Sequence, residues 1–371
     1  MENVSSSNGL EKYPKLRFKG FLEAWHEIAI GDLFKVTRGY VLPSTAVKEE
    51  PQDGFIFPVF SSQTKNEGLM GYYNEYLYED AITWTTDGAN AGTVHFRDGK
   101  FYCTNVCGVL LNEDGNANRC VAEILGSVSK KYVSYVGNPK LMNNVMSEIR
   151  IHIPSLLEQK KIDGFIASLD HRIAKQRELI EHLKKYKRGL LDAIFNQKIH
   201  VTNDDEEWQE CRIGDILKIL HGRDYKDYQA PNGEYPVLGT GGVIDYATKY
   251  LCDWACVLIG RKGTIDKPQY MDKPFWTVDT LFYSKPESSH NPRFQYYLFQ
   301  TINWKKYNEA SGVPSQSSST IEGINVCVPN PHTQETIANL FSRVDELIDD
   351  HAVILARLQE CKKGLMQQLF I

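Results

Sequence analysis

The sequence predicts an α+β protein: two similar globular α/β domains joined by two long antiparallel helices that pair as a coiled coil, an internal repeat with pseudo-twofold symmetry. Three observations predict it. Residues 156–195 carry apolar residues at heptad spacing over about 40 positions. The same pattern returns 175 residues later. Each long helix follows a globular segment, and the two segments share landmarks in the same order.

The apolar seam of the first helix is Ile162, Ile166, Leu169, Ile173, Ile180, Leu183, Leu190 and Ile194, with polar residues Gln176 and Lys187 in two slots. Steps of four and three give a period of 3.5, which is a coiled-coil seam and not a strand. The second helix repeats it as Ile337, Phe341, Val344, Ile348, Leu355, Leu358, Leu365 and Leu369, with His351 and Lys362 in the polar slots. Pro154, Gln159, Asp170, Gly189 and Phe195 recur as Pro329, Gln334, Asp345, Gly364 and Phe370, without a gap over 42 positions. A helix of that length spans roughly 60 Å. Its single apolar seam needs a partner, and the chain supplies one in its own second copy. The residues expected to form the pair are Ile166, Leu169, Ile173, Ile180, Leu183 and Lys187 against Phe341, Val344, Ile348, Leu355, Leu358 and Lys362. The copies differ in charge: nine Lys/Arg against six Asp/Glu over 156–195, four against six over 331–370.

The predicted boundaries are a globular domain over 1–155 with its first ~15 residues mobile, a long helix over 156–200, a second globular domain over 201–330 and a second long helix over 331–371. The first domain opens at Trp25 and the second at Trp208, each followed by Gly-Asp (Gly31-Asp32, Gly214-Asp215), a lysine (Lys35, Lys218) and a glycine (Gly39, Gly222). A short helix, a strand and a Gly turn fit both. Phe57-Pro58-Val59 matches Tyr235-Pro236-Val237, and a polar or Gly-rich loop follows each. Strand-like runs Ala81–Trp84 and Cys256–Ile259 enter the turns Asp87–Thr93 and Gly260–Thr264. Phe101–Asn105 matches Phe275–Thr280. Gly137-Asn138-Pro139 matches Gly312-Val313-Pro314, and alternating strands ending at Pro154 and Pro329 lead into the helices. The frame is duplicated and the loops differ, as for two reading heads on one scaffold.

Hydrophobic content of 42% and aromatic content of 11% suffice for real cores. A net charge of −5 excludes a uniformly basic nucleic-acid binder, though local patches can still be positive. There is no secretory apolar segment near Met1 and no run of about 18 apolar residues, so the expected compartment is the reducing cytoplasm with free thiols. The eight cysteines include the pairs Cys103/Cys107 and Cys252/Cys256, each spaced by four. In a strand that spacing puts both sulfurs on one face. No CxxC or CxH element accompanies them, so buried thiols are favoured over a metal site.

Catalytic signatures are missing. Gly99-Lys100 lacks the rest of a phosphate loop, and there is no GxSxG, HExxH or dinucleotide fingerprint. Asn138-Pro139-Lys140 is not the motif of amino-methyltransferases. Asp87 and Asp279 stand where strands enter turns, a place where Asp usually makes the turn. The turns instead carry groups suited to nucleic acid. In the first half these are Arg38, Ser62, Gln63, Lys65, Asn66, Asn90, Thr104, Asn105, Asn143 and Asn144. In the second they are Arg223, Tyr225, Lys226, Gly241, Gly242, Arg261, Lys262, Thr280 and Gln316. Arg and Lys suit phosphates and guanine edges, Asn and Gln suit adenine edges, and glycines let backbone approach phosphate. Any one of them alone could be a solvated loop residue. The signal is the set, at matched turns in two copies.

The chain resembles the specificity subunit of type I restriction–modification systems. The resemblance runs from about Lys15 to Ile371 and rests on the two Trp-x5-Gly-Asp openings, the Ile-x-Ile-Pro and Val-x-Val-Pro exits, and the helix starts Pro154/Gln159/Ile162 and Pro329/Gln334/Ile337. The helix ends Lys187-Arg188-Gly189-Leu190 and Lys362-Lys363-Gly364-Leu365 add to it. It implies two target recognition domains, each reading half of a split double-stranded DNA site, with the helices as spacer. It implies as partners two adenine methyltransferase subunits and restriction subunits, and no catalysis in this chain. S-adenosylmethionine, ATP and Mg²⁺ are then expected on the partners and no cofactor here. The alternative is a protein-interaction scaffold in which only one or neither globular domain reads DNA.

Overall fold

A computed structural model describes residues 2–3, 14–62, 65–201 and 207–370. The chain divides into two compact units, one of Met1–Arg177 with Ile354–Ile371, the other of Glu178–Val353. Both divisions fall inside the long helices, which are continuous over Leu156–Phe195 and Pro331–Leu369.

The first unit is built on a six-stranded sheet in the order Lys35–Arg38, Cys107–Leu111, Tyr78–Thr85, Val94–Cys103, Phe57–Phe60, Leu69–Tyr73. Only Phe57–Phe60 runs parallel to a neighbour, Val94–Cys103. Alternation along Tyr78–Thr85 gives the sheet two buried faces. Ile82 and Trp84 enter the main core with Val121, Ile124 and Leu125 of the helix Arg119–Ser129. Ala81 joins Phe101, Cys103 and Val109 in a smaller core opposite. The predicted short helix and strand after Trp25 are present as Ile30–Leu33 and Lys35–Arg38, preceded by a strand, His26–Ala29, that pairs with Arg150–Ile153. Near the N-terminus, the backbone of Glu2–Asn3 pairs with Leu16–Arg17, and the expected mobility of the first residues falls mostly on 4–13, outside the described residues. Arg17 makes a bidentate pair with Glu158, both bonds 2.7 Å, where the long helix begins.

The second unit repeats this order with one break. Leu217–His221, Leu281–Pro286, Cys256–Gly260 and Gln269–Met271 form one sheet; Gly242–Ala247, Tyr235–Gly239 and Trp276–Thr277 form another. Gln269–Met271 and Trp276–Thr277 together stand for the single strand Val94–Cys103 of the first unit. Pro274 lies in the gap and has no N–H to continue a ladder. The first unit crosses the same place with Gly99 at φ +69, its N–H donating to Asp80 Oδ1.

The shared glutamines anchor the entry of each long helix. Gln159 Nε2 donates to Pro154 O at 3.0 Å, and its Oε1 accepts from Asn118, whose own Oδ1 caps the helix Arg119–Ser129. Gln334 Nε2 donates to Pro329 O at 2.9 Å, and its Oε1 accepts from the N–H of Asn291, which caps Pro292–Thr301. Both glutamines are buried, and these bonds satisfy their own amide groups while tying the entry of each long helix to the capped start of a shorter one.

Within each unit the two long helices lie antiparallel. In the first, Ile162 and Ile166 share a core with Met366 and Phe370, and Lys362 Nζ meets Asp170 Oδ1 at 2.7 Å. In the second, Leu191 and Ile194 share a core with Ile337 and Phe341, and Lys187 Nζ meets Asp345 Oδ1 at 2.6 Å. The two ion pairs are copies of each other, the lysine of one helix facing the aspartate of the other. Of the expected pairing residues, Ile166, Ile173, Ile180 and Phe341 are buried. Leu169, Leu183, Lys187, Val344, Ile348, Leu355, Leu358 and Lys362 are half-buried.

The cysteine spacing carries a correction. Cys103 closes one strand and Cys107 opens the next, so this pair is not on one face of a strand. Cys252 precedes its strand and Cys256 begins it, with their sulfurs 4.0 Å apart. Burial pushes the thiols of Cys103, Cys107 and Cys120 up. Among the described residues no three His, Cys, Asp or Glu side chains could hold a metal ion, and no helix is long and apolar enough to cross a membrane.

Candidate nucleic-acid interface

In the first unit, hydrogen bonds knit the candidate turns together at one end of the sheet. Gly39 and Tyr40 leave the first strand and donate to Cys107 O and Cys103 O at 3.0 and 3.1 Å. A Cβ on Gly39 would stand 2.2 Å from Cys103 O, so only glycine permits the crossing. Arg38 Nη2 donates to Asn105 O at 2.9 Å. Asn90 Nδ2 donates to Ser62 O at 2.9 Å, Thr104 Oγ1 to Ser61 Oγ at 3.0 Å, and Asn143 Nδ2 to Thr37 O at 3.3 Å. Arg38, Asn66, Asn105 and Asn144 are exposed, and Ser62, Asn90 and Asn143 half-buried. Thr104, 6% exposed, holds the turns together from below. Gln63 lies outside the described residues, and Lys65 opens the one-turn helix Lys65–Gly68.

Asn66 and Glu67 in that turn are both left-handed, at φ 48 and 54. What props the turn is Arg97. Its Nη2 donates to Glu67 O at 2.8 Å, its Nε to Thr83 Oγ1 at 3.0 Å, and its guanidinium lies 3.7 Å from the Phe60 ring centroid. Beside it is a cavity of about 110 Å³ lined by Ser61, Thr83, Thr85, Asn90 and His95 among others. Burial lowers the Arg97 pKa to about 10, and burial with the Arg97 charge lowers that of His95 to about 4. The imidazole is therefore neutral at neutral pH. Arg97 was not among the residues singled out from sequence. A lone arginine in an alternating strand reads as a solvated one. In the second unit the matching partner of the strand, opposite Cys256 as Arg97 is opposite Ala81, is Met271.

The second unit knits its turns in the same way with different side chains. Gly222 makes the same close crossing, its Cβ position 2.1 Å from Val278 O, and Arg223 N–H donates to Thr277 O at 2.8 Å. Arg261 pairs with Asp279, and the N–H groups of Arg261 and Lys262 both donate to Thr280 O at 2.8 and 3.2 Å. Asp279 is thus spent on an ion pair. Thr240 and Gly241 form a tight hairpin turn and Gly242 opens the next strand, whereas eight residues separate the matching strands Phe57–Phe60 and Leu69–Tyr73 of the first unit. Arg223, Lys226, Gly241, Lys262 and Thr280 are exposed; Gly242 and Arg261 are half-buried. Tyr225 is half-buried, and its hydroxyl donates to Asp245 at 3.0 Å. Gln316 is 2% exposed, and its Nε2 donates to Gly260 O at 2.8 Å, so it braces the turn from within.

A stretch passed over in the sequence also meets these turns. Lys130-Lys131-Tyr132 recurs 175 residues later as Lys305-Lys306-Tyr307, in line with the matched Gly137-x-Pro139 and Gly312-x-Pro314. Both triplets form single-turn helices. Gly88 N–H donates to Pro139 O at 2.9 Å, and Gly263 N–H to Pro314 O at 2.8 Å. The gapless offset was the available signal, since it continues upstream of the long helices through this stretch.

A family model described as type I restriction modification DNA specificity domain matches residues 23–185 and 205–360. A type I specificity subunit of Mycoplasma pneumoniae, S.MpnORF507P, itself named as putative, is 28% identical over 326 residues, 83% of this chain and 86% of that one. The specificity subunit of the type I restriction enzyme MjaVIII from Methanocaldococcus jannaschii is 24% identical over 94% of this chain and 92% of its own. Among solved structures, the S subunit of a type I restriction–modification system from M. genitalium superposes with a TM-score of 0.68 at 18% identity, over 97% of this chain and 99% of that one, which speaks for the fold. Two tandem copies of one recognition domain, each followed by its long helix, place the chain in the type I restriction–modification specificity-subunit family.

Proposed function

We propose that each globular unit reads one half of a bipartite double-stranded DNA site and that the two continuous helices set the gap between the halves. The observation that carries this reading is the matched pair of turn clusters. Each is fixed by a glycine crossing that tolerates no Cβ, and each presents exposed cationic and polar side chains: Arg38, Asn66 and Asn105 in one, Arg223, Lys262 and Thr280 in the other. A rigid frame with variable polar tips suits base readout, with phosphate contacts setting register. Two methyltransferase subunits and the restriction subunits assemble on this chain, and S-adenosylmethionine, ATP and Mg²⁺ act on those partners. Target adenines are flipped out of the duplex into the methyltransferase subunits, because chemistry on a stacked base is blocked. The assembly works in the cytoplasm, where the DNA is.

The test is a methylome. The chain is expressed with its cognate methyltransferase subunit in an unmethylated host, and N6-methyladenine is mapped. The expected result is a two-part motif with a fixed gap, methylated once on each strand. A one-part motif would leave one unit without a reading role. No methylation from a soluble, assembled complex would favour a protein scaffold.

A further inference from the structure

Residues 130–140 read Lys-Lys-Tyr-Val-Ser-Tyr-Val-Gly-Asn-Pro-Lys: three lysines, no carboxylate, in a chain whose net charge is −5. The segment is exposed over most of its length. Tyr135 is 70% and Val136 92% exposed, among the most exposed large apolar side chains described. It packs directly on the first turn cluster: Ser129 Oγ donates to Gly92 O at 2.7 Å, the Cβ position of Gly92 lies 3.4 Å from Lys130 Cα, and Pro139 O accepts from Gly88. The twin segment, 305–315, carries Lys305 and Lys306 exposed on the same kind of turn, and Pro314 O fixes it to Gly263 of the second turn cluster. Its tip is small, with Ala310 and Ser311 where the first has the large Tyr135 and Val136.

We propose that these two segments are phosphate-gripping arms beside the reading turns. Lys130 and Lys131 in one unit, and Lys305 and Lys306 in the other, contact the DNA backbone flanking each half-site, while Tyr135 and Val136 press an apolar tip against the groove at the first half-site only. The inference rests on the DNA-reading proposal above. Lysine on a fixed turn neutralises phosphate without reading sequence. An exposed apolar tip among lysines matches the apolar sugar and base surfaces of a groove. Because the arms are attached to the reading turns by backbone hydrogen bonds, gripping phosphate also fixes the register of the turns.

The test uses the chain assembled with its methyltransferase subunit, and two duplexes of equal length, one carrying the methylated motif of the wild type and one of random sequence. Affinity is measured against salt for wild type, for Lys130→Gln/Lys131→Gln and for Lys305→Gln/Lys306→Gln. All four side chains are exposed, so folding is not threatened. Each lost phosphate contact lowers the log–log salt slope by about 0.9, so each double variant is expected to lower it by about 2, equally on both duplexes, with the methylated motif unchanged. Tyr135→Ser/Val136→Ser is expected to weaken binding severalfold with the slope unchanged. Unchanged affinity and slope in both lysine variants overturn the arms while leaving the reading turns standing. Loss of assembly with the methyltransferase subunit in either lysine variant assigns the segments to protein docking and also overturns them. A wild type with no salt-dependent binding to either duplex removes the DNA-reading proposal itself.

Discussion

At the scale of single residues, buried charge shows where the fold resists change. Arg17 and Glu158 are 3% and 0% exposed and bond in bidentate fashion. Glu158→Ala leaves the guanidinium buried beside the helix start, and the expected cost is about 3–5 kcal/mol by urea unfolding. Arg17→Met with Glu158→Leu is expected to recover most of it, because two apolar groups leave no buried charge. His95 makes a pH prediction. Its pKa in the fold is about 4, below the ordinary 6.5. Above pH 6.5 both folded and unfolded forms are neutral and nothing is lost. As pH falls toward 4, the unfolded chain takes up a proton that the folded one refuses, so stability falls. The expected loss by pH 4.5 is about 2–3 kcal/mol, since each tenfold difference in proton affinity is worth about 1.36 kcal/mol. His95→Gln is expected to flatten the profile. A profile for His95→Gln that parallels the wild type would assign the acid sensitivity elsewhere. Neither Glu158 nor His95 was legible as special in the sequence. Glu158 reads as one charge on an amphipathic helix, and His95 as one polar position in an alternating strand. Glu158 is buried by a partner 141 positions away, and His95 lies at a cavity that it shares with Glu67, Gly68 and Arg97.

At the scale of elements, the helix pairs could be read from the sequence because the heptad seam is a local pattern. The slots that break it, Lys187 and Lys362, were visible as polar residues, and their partners Asp345 and Asp170 were visible only as repeated identities. The fold joins them in reciprocal pairs. Lys187 is 12% exposed in this contact, and Asp345 also accepts from the Tyr297 hydroxyl at 2.8 Å. A double-mutant cycle of Lys187→Ala and Asp345→Ala is expected to give a coupling of about 1–2 kcal/mol. The exposed pair Lys184–Glu181 on the same helix is expected to give under about 0.5 kcal/mol. Equal couplings for the two pairs would mean that the seam pair does not help fix register.

At the scale of the whole molecule, the globular segments and the compact units have different boundaries. The first unit takes its last residues from the end of the chain: Met366 and Phe370 pack on the first core, and Phe370 lies 6.4 Å from Trp25 between ring centroids. In the second unit Phe195 meets Trp208 at 5.8 Å in the same way. Deleting 354–371 is therefore expected to destabilise the first unit selectively. Hydrogen exchange is expected to rise in 26–29, 119–129 and 150–153, while 256–260 and 281–286 keep their protection. Equal loss of protection in both units would show that they unfold together.

The repeat, the two long helices, their polar slots and the positions of the variable turns were all legible in the residues. Each is written in spacing, apolar periodicity or identity at a fixed offset, and needs no distant contact to be seen. Which turn residues face outward was settled only on folding. Thr104 and Gln316 have the same chemistry as their exposed neighbours, yet the fold spends their hydrogen bonds inside. Folding likewise made Arg97 the prop of a turn and laid the two Lys-Lys-Tyr segments against the Gly88 and Gly263 turns. Those facts depend on which strands pair and on where backbone carbonyls stand, a property of the assembled sheet that no local run of residues encodes.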